Sequence, residues 1–319
     1  MNNIDDFIKI CENSWSLSRS QVLQILNLQT HNKSVRINTL KINKSTLKDL
    51  ASNGVQLTKL NWADNCYEVN AGYHQLKASK LIADGNILLQ DSSSFLPVIA
   101  LNPKPLDAIL DLCAAPGGKT SHIASITNNK ANIYANDSSK ARFFKMKKYL
   151  EVLNVKADLT IYDGRYIGKH FNNIIFDKIL LDAPCSGEAN IDIKNPKSYA
   201  NWSIAKTKRL SRLQNKLLIT AYDLLKPGGT LVYSTCTINP DENEGVVNNL
   251  LKKRQATIEP IKIKISHTVT PVLNYNGKIF NKSITNTLRV LPSVNNEAFY
   301  VAKIAKPINQ VEDEYNYYQ

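Results

Sequence analysis

The sequence predicts an open, doubly wound α/β domain preceded by a small α+β unit. Three observations carry that prediction. From residue 107 onward, short apolar runs alternate with helical segments, the pattern of a parallel sheet covered by helices. A glycine-containing loop, Cys113-Ala114-Ala115-Pro116-Gly117-Gly118, joins the first run to a helix. Acidic residues, Asp137, Asp163 and Asp182, then stand at the ends of later runs, where ligands bind in such sheets.

Taken in order, Ile4, Phe7, Ile8, Cys11 and Trp15 recur at helical spacing, so the first thirty residues are expected to form short helices. Residues 35–40 alternate as a strand, Ser45 is placed to cap a short helix, and Asn53-Gly54 turns the chain into a strand over 55–57. These elements are assigned to a small α+β domain over 1–84, with a boundary near Asp84-Gly85. The second domain is assigned to 85–306. Its strands are expected at 108–113, 131–135, 157–161, 178–181, 230–234 and 299–304, and its helices at about 119–127, 139–153, 203–226 and 242–254. Pro227-Gly228-Gly229 cannot continue a helix and is expected to end the third of these. Residues 307–319 are read as a flexible tail. No solenoid repeat or low-complexity tract is visible.

At 319 residues, with 43% hydrophobic and 21% charged, the chain has room for two ordinary globular domains. Forty Lys+Arg against 27 Asp+Glu leave a formal charge of +13, which favours a polyanionic partner. An anionic membrane is the weaker choice. The N-terminus has neither a basic n-region nor an apolar h-region, and the most apolar run, 174–181, is interrupted by Asp177 and Lys178. The five cysteines are scattered and the five histidines isolated, which argues against a zinc site and a disulfide framework. A reducing cytoplasm and no metal are the expectation.

The chemistry-bearing segments lie in the loops after the strands. Gly118-Lys119-Thr120 invites a P-loop reading, but that motif needs glycine where Cys113 stands. Paired glycines instead let the backbone approach a ligand closely at a helix N-terminus. A single acid at a strand end is usually a helix cap. Acids at successive ends suit a nucleoside cofactor, with Asp137 near ribose hydroxyls and Asp163 near an adenine edge. Cys185 and Cys236 both fall just past strand ends, on one face of the sheet, which favours chemistry over burial. Cys11, Cys66 and Cys113 are read as small buried residues. Basic residues gather at Lys140, Arg142, Lys145, Lys147 and Lys148, at Lys206, Lys208, Arg209, Arg212 and Lys216, and at Lys252-Lys253-Arg254. Any one such run is ordinarily a solvated helix face. Together with Trp202 and the net charge, they favour an RNA surface.

The runs 111–120 (DLCAAPGGKT), 182–188 (DAPCSGE) and 233–244 (YSTCTINPDENE) closely resemble the RNA cytosine-5 methyltransferases of the Sun/Fmu type, which include bacterial RsmB and RsmF and the eukaryotic NSUN proteins. Flanking segments 36–41, 90–94, 163–165, 201–202, 289–292 and 299–302 extend the likeness from about residue 35 to 304. The resemblance implies a Rossmann-like methyltransferase fold with S-adenosylmethionine as cofactor, held by Cys113, Ala114, Ala115, Pro116, Gly117, Gly118, Lys119, Asp137, Asp163 and Asp182. It implies that Cys236 is the nucleophile and that Cys185 assists release of the methylated product, with Asp182 and Lys119 acting on the base. The sequence alone does not choose between the two thiols.

The chemistry explains the need for a thiol. Carbon 5 of cytosine attacks a methyl sulfonium poorly until a thiolate adds at carbon 6. The target must also be unpaired or flipped out, at a cost of about a few kcal/mol. The 182–191 run continues Ser186-Gly187-Glu188-Ala189-Asn190-Ile191 where relatives typically continue SGEGVV. The chain has room for neither of the additional domains that RsmB-like and RsmF-like proteins often carry. The expected partner is RNA, rRNA before tRNA, acting on a monomer without metal or membrane. A non-catalytic ribosome assembly factor that keeps the fold is the reading from another class, and the presence of both cysteines argues against it. A DNA methyltransferase would leave the second cysteine unexplained.

Overall fold

Two sheets organise the chain, which a computed structural model describes over residues 3–27, 33–42, 50, 54–171, 174–294 and 296–308. The first is antiparallel and built from β1 (Ser34–Ile37), β2 (Gln56–Lys59), β3 (Cys66–Ala71) and β4 (Ile87–Leu89) in the order β2-β3-β1-β4. Val35, Ile37, Tyr67, Val69 and Ile87 form its core with Leu76 of the helix Tyr73–Ala78. Ser45, Asn53 and residues 309–319 of the expected tail lie outside the described residues.

Two expectations for this region are corrected. The sheet takes its last strand from beyond Gly85, because β4 is an apolar Ile-Leu-Leu run that pairs with β1, Val35 opposite Leu89. The helices Asn3–Trp15 and Arg19–Asn27 do not share the sheet's core. Their apolar stripe of Phe7, Cys11, Trp15, Val22 and Leu26 packs on Ala189, Ile191, Trp202 and Ile238. Periodicity defines such a stripe without saying which surface it will cover.

The second sheet contains β5 (Ala108–Asp111), β6 (Asn132–Asn136), β7 (Asp158–Thr160), β8 (Phe176–Asp182), β9 (Leu225–Thr235), β10 (Thr257–Glu259) and β11 (Thr268–Val269). A separate hairpin of β12 (Asn274–Tyr275) and β13 (Lys278–Ile279) follows, and then β14 (Leu288–Val290) and β15 (Phe299–Ala305) complete the sheet. Its order is β11-β14-β15-β9-β8-β5-β6-β7, with β10 also paired to β15. Strands β5 to β9 are mutually parallel, so their carboxyl ends share one edge. Along β8, Ile179 and Leu181 enter one apolar cluster while Leu180 enters the other, the two-residue period of a sheet buried on both faces.

Two further expectations change here. β15 is antiparallel to β9, with Tyr300 opposite Thr235 and Ala305 opposite Thr230. It enters the sheet from its antiparallel neighbour β14 rather than from a crossover helix, so the sheet is mixed. The long helix expected over 203–226 spans Ile204–Asp223, and the chain is already in β9 at Leu225. Pro227-Gly228-Gly229 lies within an irregular start of that strand, where pairing with β8 shifts between Phe176 and Lys178 and Gly228 adopts φ +76°. No described helix is long and apolar enough to cross a membrane.

Candidate active site at the carboxyl edge of the sheet

β8 and β9 are adjacent and parallel, with Asp182 opposite Ser234. Their following loops therefore run side by side, and the Cys185 and Cys236 sulfurs lie 3.3 Å apart. Fifty-one residues of sequence separation are closed by one pair of neighbouring strands. The Cys185 thiol is pushed well above the usual thiol range, first by its hydrogen bond with Cys236 and then by burial.

Two buried carboxylates tie these loops together. Glu188 accepts hydrogen bonds from the Thr237 hydroxyl (2.6 Å), the Ile238 and Asn239 backbone N–H groups (2.9 Å each) and the Trp202 indole N–H (3.0 Å). Glu242 accepts from the Ser186 N–H (2.9 Å) and the Gln214 amide (2.7 Å), and burial together with the charge of Glu188 pushes it up to about 7. The Ala189 N–H donates to the Cys236 carbonyl at 3.1 Å, and Asn243 donates to the Thr237 carbonyl at 2.9 Å. Behind them, fully buried Arg289 pairs with Glu244 through two bonds of 3.0 and 2.6 Å and donates to the Ile238 carbonyl at 2.6 Å. Trp202, expected at an RNA surface, is buried against Phe7 with ring centroids 5.8 Å apart.

Lys119, near the start of the helix Gly118–Ile126, reaches across the edge to Asp182, Nζ to Oδ2 at 2.6 Å. The other Asp182 oxygen accepts from the Ser234 hydroxyl at 2.7 Å. Burial alone pulls the Lys119 ammonium down, but the charge and hydrogen bond of Asp182 outweigh it and leave the group raised and cationic. That positive charge lies within electrostatic reach of Cys236.

Beside this pair opens a cleft of about 410 Å³, lined by Cys113, Ala114, Ala115, Pro116, Gly118, Lys119 and Asp182 together with Gln90, Asp111, Lys145 and Tyr149. A Cβ on Gly118 would come within 3.4 Å of the Gln90 amide at the cleft wall. Gly117 turns away from the cleft. Its φ of +104° and the Leu150 side chain, 3.0 Å from where a Cβ would stand, require glycine there. Asp111 Oδ1 and Gln90 Oε1 are buried acceptors without a hydrogen-bond partner among the described residues. Burial pushes Asp111 up to about 7 despite the Thr120 hydroxyl bound at 2.7 Å.

Asp137 and Asp163 do not line this cleft. Asp137 accepts from the backbone of Ala115 (3.3 Å) and Ser139 (2.9 Å) and pairs with Arg142 (3.3 Å), bracing the glycine loop from below. Asp163 is held by Arg165, whose two-pronged hydrogen bonds keep its carboxyl below the usual range despite partial burial. Of the expected basic cluster on the helix Lys140–Val152, Arg142 is thus committed to Asp137 and Lys145 to the cleft.

Sequence reasoning missed several site residues. Glu188, Glu242 and Asn243 sat inside the recognised runs and carried a readable signal. Gln90 and Asp111 were also within matched segments. Gln214 had none, since a glutamine in an amphipathic helix is ordinarily solvated.

A family profile described as 16S rRNA methyltransferase RsmB/F matches residues 98–305. The tRNA (cytosine(49)-C(5))-methyltransferase of Pyrococcus abyssi is 42% identical over 282 residues, 86% of this chain and 88% of that one. The ribosomal RNA small subunit methyltransferase F of Klebsiella pneumoniae is 32% identical over 314 residues, 95% of this chain but only 60% of that one. Among solved structures, a methyltransferase homolog protein from Pyrococcus horikoshii superposes with a TM-score of 0.80 at 31% identity, covering 92% of this chain and 93% of that one.

Proposed function

The chain belongs to the RsmB/F family of RNA cytosine-C5 methyltransferases, and on that premise we propose that it methylates carbon 5 of a cytosine in tRNA, using S-adenosylmethionine and a covalent adduct to Cys236. The observation that carries this reading is the thiol pair, 3.3 Å apart, beside a Lys119–Asp182 ion pair and a cleft with unpartnered acceptors.

The cleft fits the cofactor. Asp111 Oδ1 and Gln90 Oε1 are two buried acceptors that suit a cationic amino group, and the backbone of 113–118 offers the close approach that a nucleoside needs. Asp137 and Asp163 are assigned to the nucleoside end, where each carboxylate keeps acceptor capacity beyond its present donors. S-adenosylmethionine, once bound, supplies the electrophilic methyl group.

The protein's own groups do the rest. Cys236, facing the Lys119 cation, adds as thiolate to carbon 6 of cytosine and makes carbon 5 nucleophilic. Lys119 offers a donor and Asp182 an acceptor, the pairing that the mixed polarity of a flipped cytosine's edge requires. After transfer a water molecule from solvent takes the carbon-5 proton, the electrons of that C–H bond restore the carbon 5–carbon 6 double bond, and the carbon–sulfur bond breaks with its electrons returning to sulfur. Cys185, held as a thiol by its raised pKa, keeps a proton beside that departing sulfur.

The sequence reading put rRNA first. The higher identity to the Pyrococcus abyssi tRNA enzyme, 42% against 32% for the Klebsiella pneumoniae rRNA enzyme, moves tRNA ahead. Likeness to that rRNA enzyme across 95% of this chain keeps rRNA as the second reading. The deciding experiment incubates the protein with labelled S-adenosylmethionine and separated tRNA and rRNA, then maps 5-methylcytosine. Label in tRNA supports the first reading, label in rRNA alone the second, and no incorporation overturns both.

A further inference from the structure

The helices Ile204–Asp223 and Glu244–Lys253 and the β12–β13 hairpin enclose a groove of about 560 Å³ outside the catalytic edge. Arg212 and Lys216 line it from the first helix, Lys252 and Lys253 from the second, and Lys278 from the hairpin. Its acidic lining residue, Asp241, is paired with Lys278 at 3.3 Å. Among the described residues Arg212, Lys216, Lys252 and Lys253 enter no ion pair.

A row of lysines on one helix is ordinarily a solvated face. This arrangement differs because four unpaired cations from two separate helices converge on a concavity, which concentrates positive potential where a flat face disperses it. The selection is also specific. Lys206, Lys208 and Arg209 of the same helix do not line the groove, and Arg254 is neutralised by Asp223 at 2.7 Å.

We infer that this groove grips the sugar–phosphate backbone of the substrate RNA beside the flipped cytosine. The inference rests on the reading of an RNA substrate. Its position supports it: the Ser211 hydroxyl donates to the Asp241 carbonyl at 2.6 Å, and the Gln214 amide donates to the Pro184 carbonyl at 2.9 Å and to Glu242 at 2.7 Å. The helix that presents Arg212 and Lys216 is thus fastened to the loops that follow both cysteine-bearing strands. Asparagines at 215 and 249, joined at 2.5 Å, leave the floor polar between the two basic walls.

The test compares Lys252→Gln/Lys253→Gln with the wild-type chain and with Lys252→Arg/Lys253→Arg. Affinity for an unmodified tRNA transcript is measured across salt concentrations, alongside KM and kcat for methylation. The double Gln variant is expected to lower the slope of log K against log salt by about 1.4, at about 0.7 per phosphate contact on a single strand. KM for RNA should rise about tenfold with little change in kcat, since phosphate contacts act on ground and transition states alike. The Arg variant should restore both. Binding of S-adenosylhomocysteine, unchanged in every variant, reports that the fold and cofactor cleft are intact. An unchanged salt slope in the Gln variant overturns the groove assignment. Absence of methylation by wild type, with the slope still reduced in the variant, overturns the methyl-transfer reading and leaves the groove standing.

Discussion

Replacing Glu188 with Ala should loosen the loop that carries Cys236. The side chain is fully buried and satisfies four donors at 2.6 to 3.0 Å: one hydroxyl, two backbone N–H groups and one indole N–H. Truncation strands the two backbone N–H groups, while the Thr237 hydroxyl keeps Ser186 Oγ at 2.8 Å, and each buried unpaired donor costs about 1–3 kcal/mol. The charge repulsion with Glu242 that raises the latter is relieved at the same time, which offsets part of the loss. A net cost of about 4 kcal/mol follows, in line with breaking a buried charged network. For 319 residues, at about 2.1 cal/mol/K of unfolding entropy per residue, that lowers Tm by about 6 °C. Calorimetry measures the Tm and urea titration the free energy. Because Ile238 and Asn239 follow Cys236 by two and three residues, kcat should also fall at temperatures where the variant is still folded. A loss below about 1 kcal/mol with unchanged kcat would show that the carboxylate does not hold the cysteine loop.

Cys236→Ala should abolish methyl transfer, whereas Cys185→Ala should accumulate a covalent RNA–protein adduct on denaturing gels; exchanged phenotypes would reverse the two roles. Burial raises Asp111 to about 7 in the folded chain, so the protein without cofactor should lose stability as pH rises from about 4 to about 7, the window in which this carboxyl is ionised in the unfolded chain but still protonated in the folded one. Over pH 6 to 8 S-adenosylhomocysteine should bind more tightly as pH rises, since its ammonium prefers the carboxylate; Asp111→Asn should flatten both profiles in urea titration and calorimetric binding, and an unaltered profile would refute the assignment. Arg289→Met should cost about 3–5 kcal/mol by leaving Glu244 buried without its counter-charge, and adding Glu244→Leu should recover part of it. A double-variant loss equal to the sum of the Arg289→Met and Glu244→Leu losses, read from urea titrations of all three, would show that the charge pair carries no coupling.

Most of the sheet was legible because its strands are continuous apolar runs, which burial on both faces demands. The antiparallel entry of β15 was not, since an apolar run carries no record of direction. The helices at residues 3–27 showed their stripe but not the loop surface that covers it, and the trio Ile238, Trp202 and Phe7 meets only in three dimensions. Likewise Pro227-Gly228-Gly229 was read as the helix end, whereas the helix stops at Asp223 and this run lies inside β9.

By itself the sequence determined the reaction class. Two cysteines in specific runs, a glycine loop and acids after successive strands are local features, and local features are written in the order of residues. The tertiary structure alone decided how these parts cooperate. It brought two sulfurs 51 positions apart to 3.3 Å, turned Trp202 inward onto Glu188, paired Asp137 with Arg142, and sorted the surplus of positive charge into paired residues and a basic groove. The physical reason is that parallel pairing of β8 and β9 fixes the spacing of every loop at their carboxyl ends, and that spacing depends on strand neighbours, not on sequence neighbours.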